Sequence, residues 1–152
     1  MPIVTLAEFR AMAGRPLGTS PWLDITQEKI NLFAEATGDD QFIHTDPDRA
    51  SQTPFGGTIA QGFMSLSLMP RLFDMADVPL PPNIKMSVNY GGNRVRFLAP
   101  VRSNARVRGR FTLLALEEKR LGQFQLTIEF VLEIENADKP ALIAEWVTQL
   151  FL

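Results

Sequence analysis

Thr58-Ile59-Ala60-Gln61-Gly62-Phe63-Met64-Ser65-Leu66-Ser67-Leu68-Met69-Pro70-Arg71-Leu72-Phe73-Asp74-Met75 is the longest apolar helical stretch of the chain, and the fold turns on what surrounds it. Ile59, Phe63, Met64, Leu66, Leu68, Met69, Leu72 and Phe73 place apolar groups on nearly every side, the mark of a buried helix. Gln61, Ser65, Ser67, Pro70, Arg71 and Asp74 interrupt it, and it falls short of the roughly 20 predominantly apolar residues of a membrane span. Its methionines and phenylalanines are core residues first. Met64 and Met69, with adaptable thioether side chains, also suit the wall of a tunnel for a flexible acyl chain.

Downstream of this helix the texture changes to strands, over 84–90, 95–98, 101–116, 122–135 and 142–151. The joins are short and turn-like, with Glu117-Glu118-Lys119-Arg120 and Asn136-Ala137-Asp138-Lys139-Pro140 as hairpin loops. Consecutive strands with short joins predict an antiparallel sheet, and a sheet beside one strongly apolar helix predicts an α+β layer in which the sheet covers that helix. Alternation along 101–116 puts Arg102, Arg106, Arg108 and Arg110 on one face, which reads as a solvated sheet face. A landing surface for a phosphate-bearing carrier is the sharper alternative.

Upstream, Thr5 and Glu8 form a capping box, with Val4 and Phe9 placed as a hydrophobic staple, so a short helix begins at Leu6 and ends at Gly14. A loop follows over 15–21. Asp24 or Thr26 caps a second helix whose Ile30, Phe33, Ala34 and Thr37 share a face and whose C-terminal cap is Gly38. Asp46-Pro47-Asp48-Arg49-Ala50 starts a third, very short one, and Pro54-Phe55-Gly56-Gly57 is a turn.

The 152 residues suffice for one domain, 1–152, with a core that needs no covalent staple. A formal net charge of −2 gives no electrostatic ground for a nucleic acid or an anionic membrane as partner. No cysteine and one histidine exclude a disulfide framework, a thiolate zinc site, a thiol nucleophile and a multi-histidine metal centre. The N-terminus lacks a basic region followed by an apolar stretch, so no signal peptide is expected and a cytoplasmic location is the default.

That one histidine, His44, follows Asp39 by five positions. Asp46 and Asp48 already serve the third helix as cap and first-turn charge. Asp39 and Asp40 remain, just past the C-terminal end of the second helix, where the helix field disfavours a carboxylate and so strengthens it as a base. A carboxylate and an imidazole brought together there could move protons at neutral pH.

Thr37-Gly38-Asp39-Asp40-Gln41-Phe42-Ile43-His44, with Ala50 downstream, resembles the signature Gly-Asp-x-Asn-Pro-(Leu or Ile)-His of the MaoC-like, (R)-specific enoyl-CoA hydratase family. Gln41-Phe42 departs from the commoner Asn-Pro and looks like the NodN-like branch. Pro54-Phe55-Gly56-Gly57-Thr58-Ile59-Ala60-Gln61-Gly62-Phe63 is similar to the family segment leading into its central helix, with Gln61 where members commonly have histidine. Asn89-Tyr90-Gly91-Gly92-Asn93-Arg94-Val95-Arg96-Phe97 is similar to the branch's strand signature.

The resemblance implies a hot-dog fold, an antiparallel sheet wrapped around a long central helix. It implies Asp39 and His44 as the catalytic carboxylate and imidazole, and the amide of Gly62 as the donor to the thioester oxygen. Chemically, water addition to an enoyl thioester builds charge on that oxygen, which a free N–H stabilises, and a glycine lets the substrate approach. The implied reaction is reversible hydration of trans-2-enoyl thioesters to (R)-3-hydroxyacyl thioesters. It uses no metal or redox cofactor, and the CoA or acyl carrier protein is part of the substrate. A homodimer is implied, with the sheet continuous across subunits.

A hot-dog thioesterase and a non-catalytic acyl-thioester-binding protein are the other readings. Ser65 or Ser67 would orient Asp39 from the central helix, against the commoner case of helix serines bonding to their own backbone. For Asn89, Tyr90, Asn93, Arg94 and Arg96, a bulged strand with salt-bridging arginines stands ahead of substrate contact.

Overall fold

A computed structural model describes residues 1–152. Helix α1 (Leu6–Ala11) starts as expected: Thr5 Oγ1 accepts from the Glu8 N–H at 3.2 Å, and the Glu8 carboxylate accepts from the Thr5 N–H at 2.7 Å. The bond from the Thr5 N–H foremost, and a second from the Thr5 hydroxyl at 2.7 Å, hold the Glu8 carboxyl below its ordinary range. At φ +81° Gly14 turns the chain and donates its N–H to Leu113 at 2.7 Å. The next residues are not the expected loop. They form β1 (Pro16–Thr19), and β2 (Leu23–Ile25) follows; both lie antiparallel against β4 (Ala105–Arg120). Proline is at home at the start of such a short edge strand, which needs no N–H there.

Thr26, not Asp24, caps α2 (Gln27–Thr37), accepting from the Lys29 N–H at 3.3 Å. Asp24 instead lies in β2 and pairs with Arg106 at 3.3 Å. Gly38 closes α2 in the left-handed region at φ +78°. Of the expected face, Ile30 and Ala34 are buried, Phe33 is half-buried and Thr37 is exposed. A single turn, α3 (Phe42–Thr45), carries His44, and Asp46 caps α4 (Pro47–Ser51) by accepting from Arg49 N–H at 3.1 Å.

The apolar stretch 58–75 is not one helix. Its first four residues are extended: Ile59 bridges to Arg102, and Ala60 N–H donates to Val101 at 2.7 Å. Helix α5 (Gly62–Ser67) follows, then a break at Leu68, then α6 (Met69–Met75). Pro70 explains the break, since it has no N–H to continue the ladder to Leu66. Nor is the stretch buried all round: Met64, Ser65, Leu72 and Phe73 are buried, while Phe63 is 66% exposed.

The sheet runs in the order β1-β4-β5-β6-β3, with β2 also on β4 and every pairing antiparallel. Strand β6 (Leu142–Phe151) has the expected bounds and β5 (Gln123–Ile134) nearly so. The segments 84–90 and 95–98 are a single strand, β3 (Met86–Phe97), whose register slips between Asn89 and Gly91 and again between Asn93 and Arg96. Glu117 to Arg120 belong to β4 rather than to a loop, and the turn is made by Leu121 and Gly122, the glycine at φ +75°. Residues 136–140 form the expected connection.

Alternate residues of the strands point to one core: Phe111, Leu113, Leu126, Ile128, Phe130, Leu132 and Leu142 are all at most 1% exposed. From the helical side Phe73 meets the core edge-on, 5.2 Å from Phe111 and 5.6 Å from Trp146. On the other face the arginine row is ion-paired. Arg106 reaches Glu135 at 3.0 Å, Arg108 and Arg110 share Glu133 at 2.7 and 3.6 Å, and Arg108 lies over the Trp22 ring. Arg102 stands apart from that row and donates to the carbonyl of Gly56 at 2.7 Å. β3 forms the sheet's far edge, exposed along nearly its whole length.

Candidate active site

His44 is 7% exposed, and its Nδ1 lies 2.7 Å from the carbonyl of Ile59. A carbonyl only accepts, so Nδ1 carries the hydrogen and Nε2 is left as the acceptor of the neutral ring. The main chain around the ring is held as firmly. Ile59 N–H donates to Ile43 at 3.0 Å, and Gln27 Nε2 donates to the carbonyl of His44 at 2.7 Å. Thr58 Oγ1 donates to Gln27 Oε1 and fixes that amide in turn. Gln27 and Thr58 went unread as site residues, because their partners lie 17 and 31 positions away and no local pattern marks them.

Beside His44 is a mostly apolar cavity of about 340 Å³, walled by Gly62, Ser65, Phe97, Val101 and Ala141 among others. The Gly62 N–H, first of α5, donates to no acceptor in the protein. A Cβ at Gly62 would also be tight, 3.1 Å from the Phe97 ring. Gly56 and Gly57 serve the turn and Arg102, whose guanidinium would lie 3.0 Å from a Cβ on Gly57. Ser65 is buried in the cavity wall and its hydroxyl makes no hydrogen bond, to Asp39 or elsewhere, whereas Ser67 bonds back to Phe63 at 2.7 Å.

Asp39 is placed differently. His44 and Gly62 share the cavity, but Asp39 is exposed and does not line it. Its N–H donates to Thr37 Oγ1 at 3.3 Å, and its carbonyl accepts from Gln61 Nε2 at 3.1 Å. Its carboxylate has no salt-bridge partner within the chain. Gln61 therefore joins Asp39 to the segment that leads into Gly62.

Of the strand signature only Phe97 lines this cavity; Asn89, Tyr90, Asn93, Arg94 and Arg96 stand away from it. Asn89 accepts from the Trp146 indole at 3.0 Å, Arg96 donates to the carbonyl of Val95, and Tyr90 is 71% exposed. Arg94, itself exposed, comes within 3.9 Å of the half-buried Glu145, a long pair, so only one of the two arginines has an acidic partner. Two more cavities, of about 280 and 430 Å³, flank α6 and share Pro70, Asn89 and Trp146. Met69 lines the larger; Met64 is a core residue. No helix is long and apolar enough to cross a membrane.

Residues 8–131 match the family model described as MaoC like domain. The chain is 46% identical over 145 residues to 3-hydroxyacyl-thioester dehydratase Z of Mycobacterium tuberculosis, covering 95% of both chains. It is 44% identical over 145 residues to Nodulation protein N of Rhizobium meliloti, covering 95% of this chain and 89% of that one. Among solved structures, the MaoC-like dehydratase from Rhodospirillum rubrum aligns with a TM-score of 0.77 at 20% identity over 97% of each chain.

Proposed function

The chain belongs to the MaoC-like dehydratase family and has its hot-dog fold, and on that footing we infer that it reversibly hydrates trans-2-enoyl thioesters to (R)-3-hydroxyacyl thioesters. The observation that carries this reading is the hold of the Ile59 carbonyl on His44 Nδ1, which leaves Nε2 without a protein partner on a residue that lines the same cavity as Gly62, whose N–H is also unpartnered.

In the proposed reaction Asp39 and His44 hold one water between them. As its oxygen bonds to C3 the pair takes up one proton, the double bond's electrons move toward the thioester carbonyl, and the Gly62 N–H stabilises the charge on that oxygen. One proton returns to C2 from the same face, so the sum is the addition of one water. Nothing in these steps calls for a metal or a redox cofactor. The thioester is carried by CoA or an acyl carrier protein, and the apolar cavities beside α6 suit its acyl chain.

The functional unit in this reading is a homodimer. Edge strand β3 offers an unpaired row of backbone groups flanked by exposed Met86, Val88 and Tyr90, the kind of edge that proteins pair or cover.

The test is a hydration assay across enoyl-CoA lengths with chiral analysis of the product. Loss of enoyl absorbance with an (R)-3-hydroxyacyl product supports the reading. Release of free thiol without hydration would make the protein a thioesterase, and tight binding without turnover would make it a carrier of acyl thioesters.

A further inference from the structure

Gln61 has no accessible surface, yet it carries a polar side chain into the space between α2 and the start of α5. Its Nε2 lies 3.3 Å from the carbonyl of Ile30 and 3.1 Å from the carbonyl of Asp39. Both partners are acceptors only, so the amide nitrogen must face them and the orientation of the group is fixed. The same orientation leaves Oε1 buried with no hydrogen-bond partner. A bare buried oxygen is a cost that a methionine of similar length would avoid, so the two N–H bonds are what the amide contributes.

What those bonds do follows from where they end. The Ile30 carbonyl lies within α2 and belongs to a rigid element. Asp39 lies just beyond Gly38, outside α2, and its other tie to that helix is the 3.3 Å bond from its N–H to Thr37 Oγ1. Gln61 thus ties the exposed member of the dyad, through its carbonyl, to the body of α2, while its own main chain leads into the Gly62 N–H. Ile59, two residues earlier, holds His44. The segment 59–62 is therefore a common rail: a carbonyl for the imidazole, a side-chain amide for the carboxylate's backbone, and the free N–H itself.

We propose that Gln61 is a positioning residue for the hydration reaction, setting the place of Asp39 relative to His44 and the Gly62 N–H through its bond to the Asp39 carbonyl. This rests on the dyad reading above. Gln61 touches no reacting atom, so its loss acts on turnover and leaves substrate affinity in place.

The experiment compares wild type with Gln61→Met, Gln61→His, Asp39→Asn and the double variant Asp39→Asn/Gln61→Met, using crotonyl-CoA and a thermal melt for each. Gln61→Met is expected to melt within a few degrees of wild type, to keep its KM, and to lose about 10-fold to 100-fold in kcat, as expected of a displaced catalytic group. Gln61→His, whose ring N–H spans a similar reach, restores most of that turnover. Added to Asp39→Asn, Gln61→Met costs little more, because the residue it positions is already disabled.

Full kcat in Gln61→Met, loss of its folded state, or an undiminished further loss in the double variant would each overturn the proposal. Near-normal turnover by Asp39→Asn would instead sink the dyad reading, so the two failures are distinguishable.

Discussion

The Nδ1 of His44 and the carbonyl of Ile59 meet at 2.7 Å, and this contact decides which ring nitrogen is left for chemistry. Because the N–H of Ile59 also donates to Ile43, at 3.0 Å, ring and backbone are held by the same residue. The tautomer and the position of the imidazole are therefore properties of the strand-like segment before α5, not of α3 itself.

Gly62 separates packing from chemistry. Gly62→Ala places a Cβ about 3.1 Å from the Phe97 ring and tests crowding alone. Gly62→Pro adds the loss of the N–H, and proline is tolerated at the first helical position after a residue with the φ −59° and ψ 139° of Gln61. Relative to Gly62→Ala, Gly62→Pro should lose a further ~10² to 10³ in kcat for crotonyl-CoA, the range for one oxyanion donor. Equal activity of the two variants would remove Gly62 from the reaction.

Gly109 is a core position with no room. A Cβ there would lie 2.9 Å from the rings of both Phe111 and Phe130, which stack with centroids 5.2 Å apart. Gly109→Ala is expected to lower stability by about 1–3 kcal/mol through overpacking, read as a lower denaturant midpoint. An unchanged midpoint would show that the ring stack yields freely.

The open edge at β3 gives a prediction about mass. Wild type should run as a dimer in light scattering, and Val88→Lys/Tyr90→Lys, which sets like charges along the paired edges, as a monomer with an intact fold by circular dichroism. A dimer that survives both lysines would locate the interface elsewhere.

What could be read from the chain divides by the range of the forces involved. The capping of α1 by Thr5, of α4 by Asp46 and the end of α2 at Gly38 were legible because each is settled within four residues. So were β6 and the connection at 136–140, where alternation and turn residues agree. Strands β1 and β2 were not, since three or four residues become strands only when β4, some ninety positions on, pairs with them. The single helix expected over 58–75 failed at both ends of its own logic: Ile59 and Ala60 are claimed by Arg102 and Val101, and Pro70 breaks the remainder. In the site, residue types and spacing singled out Asp39 and His44, and the family resemblance added Gly62; His44 and Gly62 share a cavity that Asp39 does not line. The amides of Gln27 and Gln61 that hold the arrangement carry no local signature.

The most direct test is the rate of crotonyl-CoA hydration by His44→Gln, with Asp39→Asn beside it, in proteins shown to fold by thermal melt. No other imidazole exists in the chain to substitute. The account predicts a loss of about 10²-fold to 10⁴-fold in each variant, the range of general acid–base catalysis, with melting close to wild type. Turnover within a few-fold of wild type in both would contradict it.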